Sequence, residues 1–251
     1  MLFLISIKDK IFSGGKDMIK IKRPIACLVV VCALMGTAAG AVVERVSKNI
    51  QNNEEICVVV DAGHGSPDGG AVGVSGTEEK DINLSIAKKL QEVLEGKGIK
   101  VVMTRETDDG IWDEDAQTIR QKKVSDMNNR LQIIRDSGAD LFLSIHMNSF
   151  TNSKAQGLRI FYDKQHPEGE QLAEDIQRSI ADVTGAQTNA VKTADTRLFL
   201  MKNPVMMSIL VECGFISNAE EEKKLQNDEY RAEIAWAIAE SVEKYFEILT
   251  N

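Results

Sequence analysis

A basic surface is missing from this chain of 251 residues, as are a disulfide framework and any internal repeat. Lys and Arg total 30 against 38 Asp and Glu; residues 1–43 hold six of the basic side chains and two of the acids, which leaves 24 basic and 36 acidic residues beyond them. A domain near −12 argues against nucleic acid, whose phosphates need a positive partner. Four cysteines do not make a scaffold here: Cys27 and Cys32 lie inside an apolar stretch, and Cys57 and Cys213 fall at opposite edges of predicted strands, so both are expected to stay reduced. Histidine is the scarcest informative residue, with three in the whole chain.

What is present suffices for one α/β domain and an extension, with 43% hydrophobic residues to build a core. Lys20-Ile21-Lys22-Arg23 runs into "IACLVVVCALMGTAAGAVV", nineteen residues without a charge. A positive segment before an apolar one is the pattern of a secretory signal or a membrane anchor; Ala39-Gly40-Ala41 offers a small-residue cleavage site, and the length also spans a bilayer uncut. Residues 1–43 are therefore expected to place the rest outside the cytoplasm, and residues 44–55 read as a polar linker.

From residue 56 onward, apolar runs alternate with helical periodicity. Strands are expected at 56–61, 99–105, 140–146, 158–163, 197–201 and 207–212, and helices at 81–97, 124–137, 168–184 and 228–248. That order predicts a single α/β domain over 56–251, a mainly parallel mixed sheet of about six strands flanked by helices. In such sheets the chemistry gathers at the carboxyl ends of the strands.

Those ends carry "DAGHG" with His64, "SIHMN" with His146, and "LVECGF" with Glu212. A glycine loop after a strand also suits a phosphate, but no Lys-Ser/Thr follows it, and His64 would have no purpose there. Two imidazoles at strand ends converging with a carboxylate are better explained by a metal, whereas His166, in a polar loop, reads as a surface residue. Glu78 and Glu79, before a helix start, are the acids available as a third ligand, unless they serve only to cap the helix. A His₂Glu set suits Zn²⁺ and leaves a fourth position for water. It also gives a purpose to Glu212, a general base that would otherwise be a costly acid in a core strand.

"VVVDAGHGSPDGGAVG", "GTEEKDINL", "VVMTRETD", "DLFLSIHMNS" and "LVECGFISN" occur in that order across the domain, which resembles the zinc-dependent N-acetylmuramoyl-L-alanine amidases of bacterial cell-wall turnover (amidase type 3). The resemblance implies zinc held by His64, Glu79 and His146, with Glu212 as catalytic acid/base, and cleavage of the amide joining the lactyl group of N-acetylmuramic acid to L-alanine. "TRETDDGIWDED", "TIRQKKVSDMNNR" and the lack of wall-binding repeats look most like the germination-specific enzymes, whose action allows muramic-δ-lactam to form in spore cortex. Ala62 and Ser66 depart from the family's usual Pro and Gly beside the first ligand, and Arg135 stands where Asn is common. Asn148 and Arg130 are candidates for contact with substrate or for support behind the ligands. Peptidoglycan is the expected partner, with the membrane if the N-terminal segment is retained, and an activating or tethering protein in place of wall-binding repeats. A zinc carboxypeptidase or endopeptidase acting within the stem peptide, and a non-catalytic peptidoglycan-binding module, are the alternatives.

Overall fold

The computed structural model describes residues 55–195, 197–202 and 204–250; the segment 1–43 and nearly all of the 44–55 linker lie outside the described residues. Six strands form one sheet: β1 (Cys57–Ala62), β2 (Lys100–Met103), β3 (Leu141–Asn148), β4 (Arg159–Tyr162), β5 (Lys192–Thr193) and β6 (Met207–Phe215), in the spatial order β2-β1-β3-β6-β4-β5. β2, β1, β3 and β6 are mutually parallel, β4 runs antiparallel to β6, and β5 parallels β4. The helices are α1 (Glu79–Gly96), α2 (Ile119–Asp136), α3 (Gly169–Thr184), α4 (Ala219–Leu225) and α5 (Asp228–Thr250). None of the described helices is long and apolar enough to cross a membrane.

Alternation along the strands sorts the core into two layers. Val58, Val60, Leu141, Leu143, Ile209 and Val211 turn to the side on which α1, α3 and α5 pack with Ile86, Leu90, Ile176 and Ile238. Cys57, Val59, Phe142 and Leu210 turn the other way, under Ile134 of α2 and under Leu200 and Met201. Strands covered on both faces are apolar at nearly every position, which is why the runs are so legible. Cys57 and Cys213 are both buried and free.

Three expectations need correction. The run at 197–201 is not a strand: Phe199–Met201 form a single 3₁₀ turn that lays Leu200 and Met201 on the sheet, and the pairing at this edge falls to β5. A short apolar run looks the same whether it buries as strand or as turn. The helix expected at 124–137 starts at Ile119, because Thr118 and Gln121 close a capping box there. α4 was not expected; Asn218 caps it by accepting from the amides of Glu220 and Glu221. The site itself gains from longer strands. β3 and β6 run on past His146 and Glu212 to Asn148 and Phe215 through a register shift, which is a bulge at the sheet's working edge.

Candidate metal centre

β1 ends at Ala62 and the chain turns through Gly63 and His64. His64 adopts φ 63°, a left-handed conformation that costs a non-glycine residue about 1–3 kcal/mol unless its surroundings enforce it. Two buried arginines do so. Arg105 donates from Nε to the Ala62 carbonyl at 2.8 Å and from Nη2 to the Gly63 carbonyl at 3.0 Å, and Arg130 donates to the carbonyls of Ala62 (2.7 Å) and His64. Behind them, Asp61 pairs with Arg130 at 2.6 Å and accepts from Thr104 and Ser144, each at 2.7 Å. Burial alone would raise the Asp61 carboxyl, but Arg130 and the hydroxyls more than offset it and hold it at about 2.

Glu79 is the first residue of α1 and is 3% exposed. Its Oε2 accepts from the Ala71 amide at 2.8 Å and its Oε1 from the Met147 amide at 3.0 Å, so backbone fixes both oxygens before any ion arrives. His146 Nδ1 lies 3.0 Å and His64 Nε2 3.3 Å from Glu79 Oε1. The two rings meet edge to face with centroids 5.0 Å apart. Burial pushes the Glu79 carboxyl up, and the two imidazoles more than reverse this, leaving it well below the usual carboxylate range. Burial likewise depresses His64, but Asp68, 3.1 Å from Nδ1, and Glu79 raise its imidazole to about 9. Glu78 turns instead to Lys80, at 3.1 Å.

These residues fit a divalent ion. Donor atoms of His64, Glu79 and His146 all lie within 4.8 Å of one another, two nitrogens and a carboxylate oxygen from three separate elements. The space is reserved by glycine. A Cβ on Gly63 would stand 2.3 Å from the His146 ring, and one on Gly70, itself at φ 69°, would stand 2.6 Å from Glu79 Oε2. Any side chain at either position would push a donor out of the cluster.

Glu212 lies opposite His146 in the β3–β6 register. Its Oε2 is sealed from solvent and has no hydrogen-bond partner. Burial is the main reason its carboxyl is raised to about 7; Glu79 adds to this, while His146, His64 and Arg159 pull it down. An acid of that strength, beside a cleft of about 270 Å³ that His64, His146 and Glu212 all line, can accept and return a proton near neutrality.

The remaining sequence candidates separate. Arg130 is 1% exposed, and its five N–H groups go to Asp126, Asp61, Ala62 and His64, so it supports the ligand loop and has no donor left for substrate. Asn148 is half-buried at the end of β3, where its carbonyl accepts from Ile216. His166 is tied to Asp163 at 2.9 Å, outside the cleft. Sequence reasoning gave no part to Arg105, Asp68 or Asn83, although Asn83 Nδ2 also reaches the Gly63 carbonyl at 3.0 Å. Arg105 did leave a signal: a charged residue two positions after the apolar strand β2, inside one of the quoted motifs.

A family model described as N-acetylmuramoyl-L-alanine amidase matches residues 58–244. The germination-specific N-acetylmuramoyl-L-alanine amidase of Bacillus subtilis is 33% identical over 189 residues, 75% of this chain and 79% of that protein. Among solved structures, the CwlD amidase from Clostridioides difficile in complex with the GerS lipoprotein is 39% identical with a TM-score of 0.74, over 77% of this chain and all of that one. The amidase AmiC2 of Nostoc punctiforme is 31% identical with a TM-score of 0.66, over 76% of this chain and 97% of that one.

Proposed function

The chain belongs to the N-acetylmuramoyl-L-alanine amidase family, and from that premise we propose that it is a zinc enzyme of the spore cortex, with His64, Glu79 and His146 holding the metal and Glu212 moving the proton. The reaction is hydrolysis of the amide between the lactyl group of N-acetylmuramic acid and L-alanine. The observation that carries the residue roles is the meeting of three donors within 4.8 Å beside a buried carboxylate oxygen that has no other partner. When bound, zinc supplies a positive charge that polarises the scissile carbonyl and acidifies water.

The chain's own groups do the rest. Glu79, fixed by the Ala71 and Met147 amides, orients both imidazoles. Arg105 and Arg130 keep His64 aimed into the cleft by holding the carbonyls around it. Glu212 takes a proton from the water that attacks the lactyl carbonyl; as the C–N bond breaks, it delivers that proton to the departing L-alanine nitrogen. Burial raises its carboxyl above the usual range, which suits a group that must first hold and then return a proton.

The cortex assignment rests on the likeness to the germination-specific enzyme, and export on the apolar segment before residue 44. The domain boundaries we assign are an export or anchoring segment at 1–43, a linker at 44–55 and the amidase domain at 56–251, which acts outside the cytoplasm. A lipoprotein accompanies the Clostridioides relative, which supports a protein partner for this chain too.

Metal analysis of the purified protein, with cortex peptidoglycan digests of wild type and Glu212→Gln read by mass, tests the proposal. One zinc in both proteins is expected, with stem peptides released by wild type and a loss of roughly 10²–10⁴-fold in the variant. Full activity in Glu212→Gln would remove its role, and an active protein without zinc would remove the metal assignment.

A further inference from the structure

Glu212 sits between two neighbours in the sheet. On one side it is in register with His146 of β3, and on the other with Arg159 of β4. In-register residues on adjacent strands share a face, and Phe161, two residues beyond Arg159, packs with Leu210 and Phe142 on the layer below the cleft. His146, Glu212 and Arg159 therefore form one row across three strands, with Arg159 on the far side of the general base from the metal centre.

The cations that line the cleft are all engaged: Lys123 with Asp68 at 2.7 Å, Arg130 with Asp61 and Asp126, and Arg197 with Asp195. Arg159 differs: it stands beside those lining residues, next to Glu212, on which its charge acts, yet among the described residues no carboxylate lies within salt-bridge distance of it and its side chain makes no hydrogen bond to protein. Its guanidinium lies over the face of Phe215, 5.2 Å from the ring centroid. Contact with a buried ring restrains the side chain, and a guanidinium without a carboxylate partner of its own can take one bidentately.

We infer that Arg159 is a specificity residue that binds a free carboxylate on the peptide side of the scissile amide, the α-carboxylate of the acidic residue following L-alanine. The span agrees. Two strand spacings put the Arg159 backbone about 9.5 Å from that of His146, and an extended peptide advances about 3.3 Å per residue, so the second residue falls within reach of the side chain. The inference rests on the amidase reading and names the part of its substrate that this chain selects.

The test uses the full chain and two muramoyl tripeptides, L-Ala–γ-D-Glu–L-Lys, differing only in whether the α-carboxyl of the second residue is free or amidated. Wild type is expected to favour the free carboxylate by roughly 10- to 100-fold in kcat/KM, carried by KM, which is the worth of a hydrogen-bonded ion pair. Arg159→Gln should erase that preference through the free-carboxylate substrate, and Arg159→Lys should restore part of it. The released tripeptide, titrated calorimetrically into metal-stripped protein, should show the same selectivity without turnover. A preference that survives in Arg159→Gln overturns the inference, as does an equal fall on both substrates at an unchanged melting midpoint. A wild type that cleaves neither substrate nor peptidoglycan would instead refute the amidase assignment, a result distinct from either.

Discussion

At the scale of single residues, Asp61 and Arg130 decide whether His64 can hold its left-handed backbone. Both are 1% exposed and 2.6 Å apart, and the arginine passes the restraint on to the carbonyls of Ala62 and His64. Removing one partner of a buried pair strands the other charge, so Asp61→Ala is expected to cost about 3–5 kcal/mol in urea denaturation, towards the lower end because Asp126 still faces Arg130. The same variant should bind zinc more weakly, because the loop presenting His64 loses its anchor. The pair also sets a pH dependence. Asp61 titrates at about 2 rather than its ordinary 3.8, so its stabilisation is complete above about pH 4 and is lost as the pH falls towards 2.

At the scale of elements, α2 carries Arg130 into place and owes its first turn to a capping box. Thr118 Oγ1 accepts from the Gln121 amide at 3.2 Å, and Gln121 Oε1 accepts from the Thr118 amide at 2.9 Å. Thr118 is exposed, so Thr118→Ala isolates the cap: a loss of about 1 kcal/mol is expected, or a melting midpoint lower by roughly 2–4 °C. Zinc content should not change, because Arg130 lies three full turns into the helix, beyond the reach of fraying. α1 is placed to opposite effect. It begins at the proposed ligand Glu79 itself, whose carboxylate faces the positive end of the helix and two backbone amides.

At the scale of the whole molecule, the proposed metal site couples metal uptake to protonation. Without an ion, the neighbouring carboxylates hold His64 at about 9, so at pH 7 its ring carries a proton that a ligand nitrogen must give up. Zinc binding at pH 7 is expected to release that proton, seen as a binding enthalpy that varies with the ionisation enthalpy of the buffer. The release should fade as the pH approaches 9. In the metal-free protein the raised imidazole stabilises the fold most fully below its ordinary 6.5, and this contribution is lost as the pH rises through 9.

How much of this was legible in the sequence follows from the kind of signal each part leaves. The sheet was readable because doubly covered strands are apolar throughout, and His64, His146 and Glu212 stood out as polar residues interrupting them. The 197–201 turn was misread because burying Leu200 and Met201 needs no strand pairing. Arg105 escaped because its partners are backbone carbonyls, which any sequence supplies, and α4 because its seven residues are too few to show periodicity, although Asn218 followed by three acids marked its start.

The row of His146, Glu212 and Arg159 depends on main-chain pairing of three strands distant in sequence. A slip of one residue in β6 would present Val211 or Cys213 to the cleft and turn Glu212 into the apolar layer. The three side chains therefore stand in one row only in a chain whose central strands have paired in this register, and a slipped sheet, however well packed, would be expected to lack hydrolytic capacity.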